Sequence, residues 1–147
     1  MDSEFDDHPS DPEERKKWGH KDVEHWRAVS NVHYYAREGY YGTAILVCDG
    51  RLGTIQDVPL AILKGVCLTL LGKIPEAIRH LEAFSTDKNH ALGALHALKW
   101  AHASAFNPDS KSIVEIESEI TSKARNESTP YTSYASAAEV HKFIKFW

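Results

Sequence analysis

Apolar residues recur along the chain at three- and four-residue steps. They nowhere alternate with polar ones between hairpin turn residues, so helices are predicted and strands are not. Residues 1–10 are acidic, contain Pro9 and carry one large apolar side chain, Phe5; residues 1–18 read as a disordered acidic leader passing into a short helix. Asp11 and Pro12 open that helix and Gly19 is expected to end it, leaving 19–147 as the main domain. From about Asp22 to Glu38, Val23, Trp26, Val29, Val32 and Ala36 share an inward face, and Gly39 suits the closing left-handed position. Tyr41, Ala44, Ile45, Cys48 and Leu52 form the face of the next helix. Asp57 and Pro59 then start a helix that is apolar nearly all round to Leu71, and such a helix must be covered from several sides. Pro75 opens a short helix with Ala77, Ile78 and Leu81 inward, and an Ala-rich helix follows Asn89. After Asn107-Pro108-Asp109-Ser110 comes a stripe of Ile113, Ile116, Ile120 and Ala124, and Thr129-Pro130 begins the last helix. The pattern predicts seven or eight helices in antiparallel succession, joined by short loops.

Internal periodicity decides between a plain bundle and a stacked array. With Gly39 placed on Gly72, Tyr41 falls on Ile74, Ala44 on Ala77, Ile45 on Ile78 and Cys48 on Leu81, a period of 33 residues. That is one short of the 34 residues of a tetratricopeptide unit. Each position has a physical task. Glycine turns the chain, the large apolar residue two places on wedges into the turn, and the alanine five places on lets the second helix come close. Gly65 adds a small residue where the helices of a pair cross. The fold class expected is therefore all-α, with antiparallel helix pairs forming a tetratricopeptide-like solenoid. Arg51 and Phe84 stand where the pattern wants a small residue, and a third unit, 91–120, has Phe106 where the turn glycine would fall.

Composition narrows the function classes. A net charge of −4 without a basic stripe excludes a nucleic-acid binder of the usual kind, and no apolar run approaches the roughly 20 residues that span a bilayer. Cys48 and Cys67, widely spaced in apolar surroundings, read as small core residues and form neither a disulfide framework nor a zinc site. The acidic N-terminus resembles no presequence, and a cytoplasmic protein is expected. Among nine histidines, His20 and His25 are five apart and His96 and His102 six apart, so neither pair shares a helix face and no metal is expected. Glu115, Glu117 and Glu119 diverge around a helix as a solvated face. With no phosphate loop and no nucleophile elbow, no cofactor and no enzymatic activity are expected.

Val32-His33-Tyr34-Tyr35, Glu38-Gly39-Tyr40-Tyr41 and Ile45-Leu46-Val47-Cys48-Asp49-Gly50, followed by Gly72-Lys73-Ile74-Pro75-Glu76-Ala77-Ile78-Arg79, Ala101-His102 and Asn107-Pro108-Asp109, resemble in order and spacing the N-terminal opening of the tetratricopeptide repeat protein 21 family. The resemblance covers about residues 30–125. It implies a long solenoid subunit of intraflagellar transport complex A, partnered by other protein subunits, at the cilium and basal body. Its work there would be retrograde ciliary transport, cilium assembly and import of membrane proteins. A free-standing cytosolic adaptor with an unrelated protein partner is the other reading of the same repeats.

A scaffold of this kind binds through the groove lined by the first helix of each pair. The register puts Val29 and His33 there from the first unit and Leu63 and Val66 from the second. Without Lys, Arg or Asn at those positions the groove cannot clamp a terminal carboxylate; it suits a helix or loop from a partner, or else these residues simply pack within the repeat. Phe143, Phe146 and Trp147 crowd the last turn. Either they fold back on the preceding helix pair or a following repeat covers them, and an uncovered apolar end would permit self-association.

Overall fold

A computed structural model describes the backbone of residues 12–147 and the side chains from Val23 onward. Seven helices follow one another among the described residues: α1 (Pro12–Arg37), α2 (Tyr41–Leu52), α3 (Val58–Leu70), α4 (Ile74–Glu82), α5 (Ala91–Ala103), α6 (Ser110–Arg125) and α7 (Tyr131–Ile144). The expected disorder of residues 1–10 lies outside the described residues. The break expected at Gly19 is absent, and α1 runs through it. One interior glycine costs a helix about 1 kcal/mol, too little to end one that continues well on both sides.

The two glycines of the register do the same job. Gly39 and Gly72 have φ of 86° and 93°. Each closes its helix in a Schellman motif: Gly39 N–H donates to Ala36 and Tyr40 N–H to Tyr35, as Gly72 does to Thr69 and Lys73 to Leu68. Ala44 and Ala77 are fully buried, as are Cys48 and Leu81, four residues further on. A Cβ on Gly39 or Gly72 would touch nothing within 4 Å, so only the backbone conformation demands glycine. Gly72→Ala is therefore expected to cost about 1–2 kcal/mol, read as a lower urea midpoint with an unchanged slope. The third pair turns differently. With Phe106 in place of the glycine, the link between α5 and α6 takes residues 104–109, ends on the Asp109 cap of α6, and leaves Phe106 wholly exposed.

Gly65 lies at the crossing of α3 and α4, where a Cβ would come within 2.5 Å of Leu81 Cγ. The equivalent positions of the first pair hold Val32 and Cys48, both fully buried, so large and small exchange between the two helices. Burial of Cys48 pushes its thiol up to about 12, and Cys67 is raised by burial too, so both are unreactive core residues.

Helix α3 is the centre. It packs on α1, α2, α4, α5 and α7, which accounts for its lack of a polar face. On α1 the inward face begins later than its spacing suggests: Ala28, Val29, Val32 and Ala36 are buried, but Val23 and Trp26 are 37% and 49% exposed. The antiparallel α2 is less than half as long as α1 and covers only its C-terminal part. Likewise, of the α6 stripe only Ile116 is buried, while Ile113 and Ile120 are half-buried and Ala124 exposed.

Helix α7 leaves the succession. A further repeat would lay it beside both α5 and α6; instead it packs mainly on α5, also on α3, and hardly on α6. Its end reaches the first pair: the Phe143 ring stands edge-on to His33 at 4.6 Å, Arg37 lies over Phe146 at 4.9 Å, and Trp147 is 6.4 Å from Tyr41. The C-terminal aromatics thus fold back, but onto α1 and α2 instead of the preceding pair. Among the described residues no helix is long and apolar enough to cross a membrane.

Candidate protein-binding groove

A buried carboxylate ties the start of α3 to the end of α2 and the middle of α1. Asp57 caps α3, with Oδ1 accepting the Leu60 N–H at 3.1 Å. Its Oδ2 accepts from Arg51 Nε of α2 at 2.6 Å and lies 2.6 Å from His25 Nδ1 of α1. The Asp57 side chain is 4% exposed. Burial alone would raise its carboxyl, but the hydrogen bonds from His25 and Arg51 outweigh that and hold it down at about 2. Arg51, a departure from the small residue the repeat wants, is thereby explained: it neutralises a charge that the third helix start buries.

Of the four residues that the register assigns to the groove, Val29, His33 and Leu63 lie beside α7. Val66 is completely buried and offers no surface; Val29 and Leu63 are 7% and 4% exposed. His33 is half-buried beneath Phe143. The sequence register identifies the lining and says nothing of a helix already lying on it. Val29 and Leu63 still border an open space: with Trp26, Ile62, Ala135 and Val140 they line an apolar cavity of about 200 Å³ between α1, α3 and α7.

Three residues that hold α7 in place escaped the repeat pattern. Ser133 and Ser136 of α7 are buried, and their hydroxyls accept the N–H groups of Leu92 and Gly93 at 3.0 Å each. They cap α5 from another helix, because His90 at its own cap position supplies no side-chain hydrogen bond. Gly93 makes this approach possible, since a Cβ there would lie 2.9 Å from Ser136 Cβ and 3.0 Å from its carbonyl carbon. The only sequence signal was a run of small residues on both helices, which does not say that the two meet.

Three histidines are half-buried in or near this layer. His33 faces Glu139 and Lys142 of α7 and Arg37 of α1; His96 faces His141 of α7 and Lys99 of its own helix; His80 Nε2 lies 2.7 Å from the Ala61 carbonyl. Burial lowers all three below the ordinary value near 6.5. Above that value neither folded nor unfolded chain binds these protons; below it the unfolded chain takes them first. Stability is therefore expected to be flat above about pH 6.5 and to fall as pH drops below it, with His96→Gln reducing the slope in urea titrations there.

What this layer offers chemically is apolar surface with a few ring nitrogens. A model of the tetratricopeptide repeat protein 21 N-terminal ARM repeat matches residues 32–146 of the chain. The chain is 82% identical over 143 residues, 97% of its length, to a tetratricopeptide repeat protein 21 homolog of Caenorhabditis elegans, and 86% identical over 131 residues to that of Caenorhabditis briggsae. It is 30% identical over 90 residues, 60% of its length, to tetratricopeptide repeat protein 21B of Mus musculus. It spans 11%, 10% and 7% of the length of these three relatives.

Proposed function

Because the chain belongs to the tetratricopeptide repeat protein 21 family, we propose that it works as one stretch of a long protein-binding array in intraflagellar transport complex A. The helical-repeat scaffold itself is plain from the fold and the family. The finer reading adds that its partners are the other subunits of that complex, that it acts in retrograde ciliary transport and cilium assembly, and that it performs no catalysis. The observation that carries it is the identity to the nematode homologs over nearly the whole chain. The lining of the inner helices agrees, being apolar and without the cationic clamp that terminal-carboxylate binders require.

The test is a tagged copy in ciliated cells. Enrichment at the ciliary base and along the axoneme, with co-isolation of complex A subunits, is expected. Diffuse signal with no such subunits recovered would reject the ciliary reading and favour a free-standing adaptor.

A further inference from the structure

On the outer side of the stack, helix α4 carries its charges in a fixed alternation. Lys73 at its cap and Glu76, Arg79 and Glu82 within it follow one another at steps of three residues, positive and negative in turn. All four are exposed. Steps of three would let neighbours pair within the helix, yet none of the four forms an ion pair among the described residues. The row is left with its charges unanswered.

Beside this row lies a mostly apolar cleft. It runs along α4 past Ile74, Pro75 and Ile78 to Glu82, and Ala105 and Phe106 of the α5–α6 link border it near the first turn of α4. Ile74 and Ile78 are half-buried, Pro75 is exposed, and the Phe106 ring is wholly exposed. Phe106 therefore stands as a knob next to a hollow that it does not fill. A knob and a hollow side by side on one surface are self-complementary, which is the condition for a two-fold pair of identical chains.

We propose that two copies of this chain pair through α4, laid end over end about a two-fold axis near Ile78. Turned this way, the row of charges meets itself with opposite signs. Arg79 faces Glu76 of the second copy, Lys73 faces its Glu82, and the symmetry repeats both contacts. A slip of three residues in either direction sets like charges together, so charge fixes a single register. In that register the Phe106 ring of each copy falls at the Glu82 end of the other's cleft, against Ile78. Helix α4 packs on α3 and α5, so the pairing leaves the inner layer and α7 as they are. A nine-residue helix and one ring cover less than the roughly 800 Å² per partner of a standard interface. The dimer is accordingly weak, with a Kd of about 10–100 µM.

Sedimentation equilibrium of the whole chain, from about 5 µM to about 1 mM, tests this. The weight-average mass is expected to climb from 16.6 kDa toward twice that value and no further. Phe106→Ser is expected to weaken the pairing about tenfold. Arg79→Glu, which sets a second carboxylate against Glu76 of the other copy, should weaken it about tenfold, and so should Glu76→Arg. The two together exchange the partners and should restore the pairing to within about twofold. All three positions are exposed, so the fold is not at stake in these variants. A mass that stays at 16.6 kDa throughout, species larger than a dimer, or undiminished pairing in Phe106→Ser overturns the proposal. So does a double variant that pairs no better than the single ones. Pairing lost in Trp147→Ser and kept in Phe106→Ser would move the contact to the C-terminal aromatics and overturn it too. None of these outcomes touches the scaffold reading, which is tested by the subunits recovered from cells.

Discussion

Replacing Asp57 with alanine is expected to lower stability by about 3–5 kcal/mol, a large part of the 5–15 kcal/mol that holds an ordinary domain together. Three losses coincide at one side chain. Leu60 N–H loses its cap, Arg51 loses the carboxylate 2.6 Å away that compensates its charge, and His25 loses the oxygen 2.6 Å from its ring nitrogen. Because Asp57 ties α1, α2 and α3 together, the whole array should loosen, not one helix end. Asp57→Asn keeps an oxygen for the cap and should cost less than alanine. Arg51→Met combined with Asp57→Ala should recover part of the loss, since the buried cation is then removed along with its partner. Full additivity in the double mutant would show that the two residues do not act as a pair.

The same carboxylate sets an acid limit. Its folded value is about 2 against an ordinary 3.8, so the folded state favours the charged form. That stability is present above about pH 4 and is lost as pH falls from there through 2, amounting to about 2 kcal/mol. Urea titrations between pH 5 and 2 should show the fall in the native chain, and Asp57→Asn should show less of it.

Gly93→Ala and Gly50→Ala are expected to change stability in opposite directions, although both put alanine into a helix. Alanine is the better helix former by about 1 kcal/mol. At Gly50 on α2 a Cβ meets nothing within 4 Å, so that preference acts alone and stability should rise by about 0.5–1 kcal/mol. At Gly93 the Cβ runs into Ser136, including backbone 3.0 Å away, and no rotamer change relieves it. Helix α7 must back off, the hydroxyl bonds to Leu92 and Gly93 stretch, and Phe143 loosens against His33. A net loss of about 2–3 kcal/mol is expected, with amide exchange quickening first in α7. If Gly93→Ala proved stabilising, the close approach of α5 and α7 would be wrong.

Much of this architecture is written locally. The Gly39 and Gly72 turns, the buried alanines five residues after them, the Asp57 start of α3 and the all-round apolar α3 each follow from backbone geometry or helical spacing, which act within a few residues. Val23 and Trp26 misled because local spacing does not report how long the neighbouring helix is, and Gly19 because one glycine costs too little to end a helix that continues on both sides. The partnership of Arg51, His25 and Asp57 was illegible because its members stand 6 and 32 residues from Asp57. As single residues they look like a repeat violation, a stray histidine and a cap.

The sequence by itself determined that the chain is a stack of helix pairs, with the first helix of each pair forming an inner layer and α3 apolar nearly all round. Those properties follow from spacing and side-chain chemistry along one helix at a time. Only the tertiary structure decided that the layer is already covered. Helix α7 turns inward because Gly93 removes the one side chain that would keep it off α5, and because serine hydroxyls on α7 satisfy N–H groups that α5 leaves open. Neither half of that match means anything until the two helices are side by side.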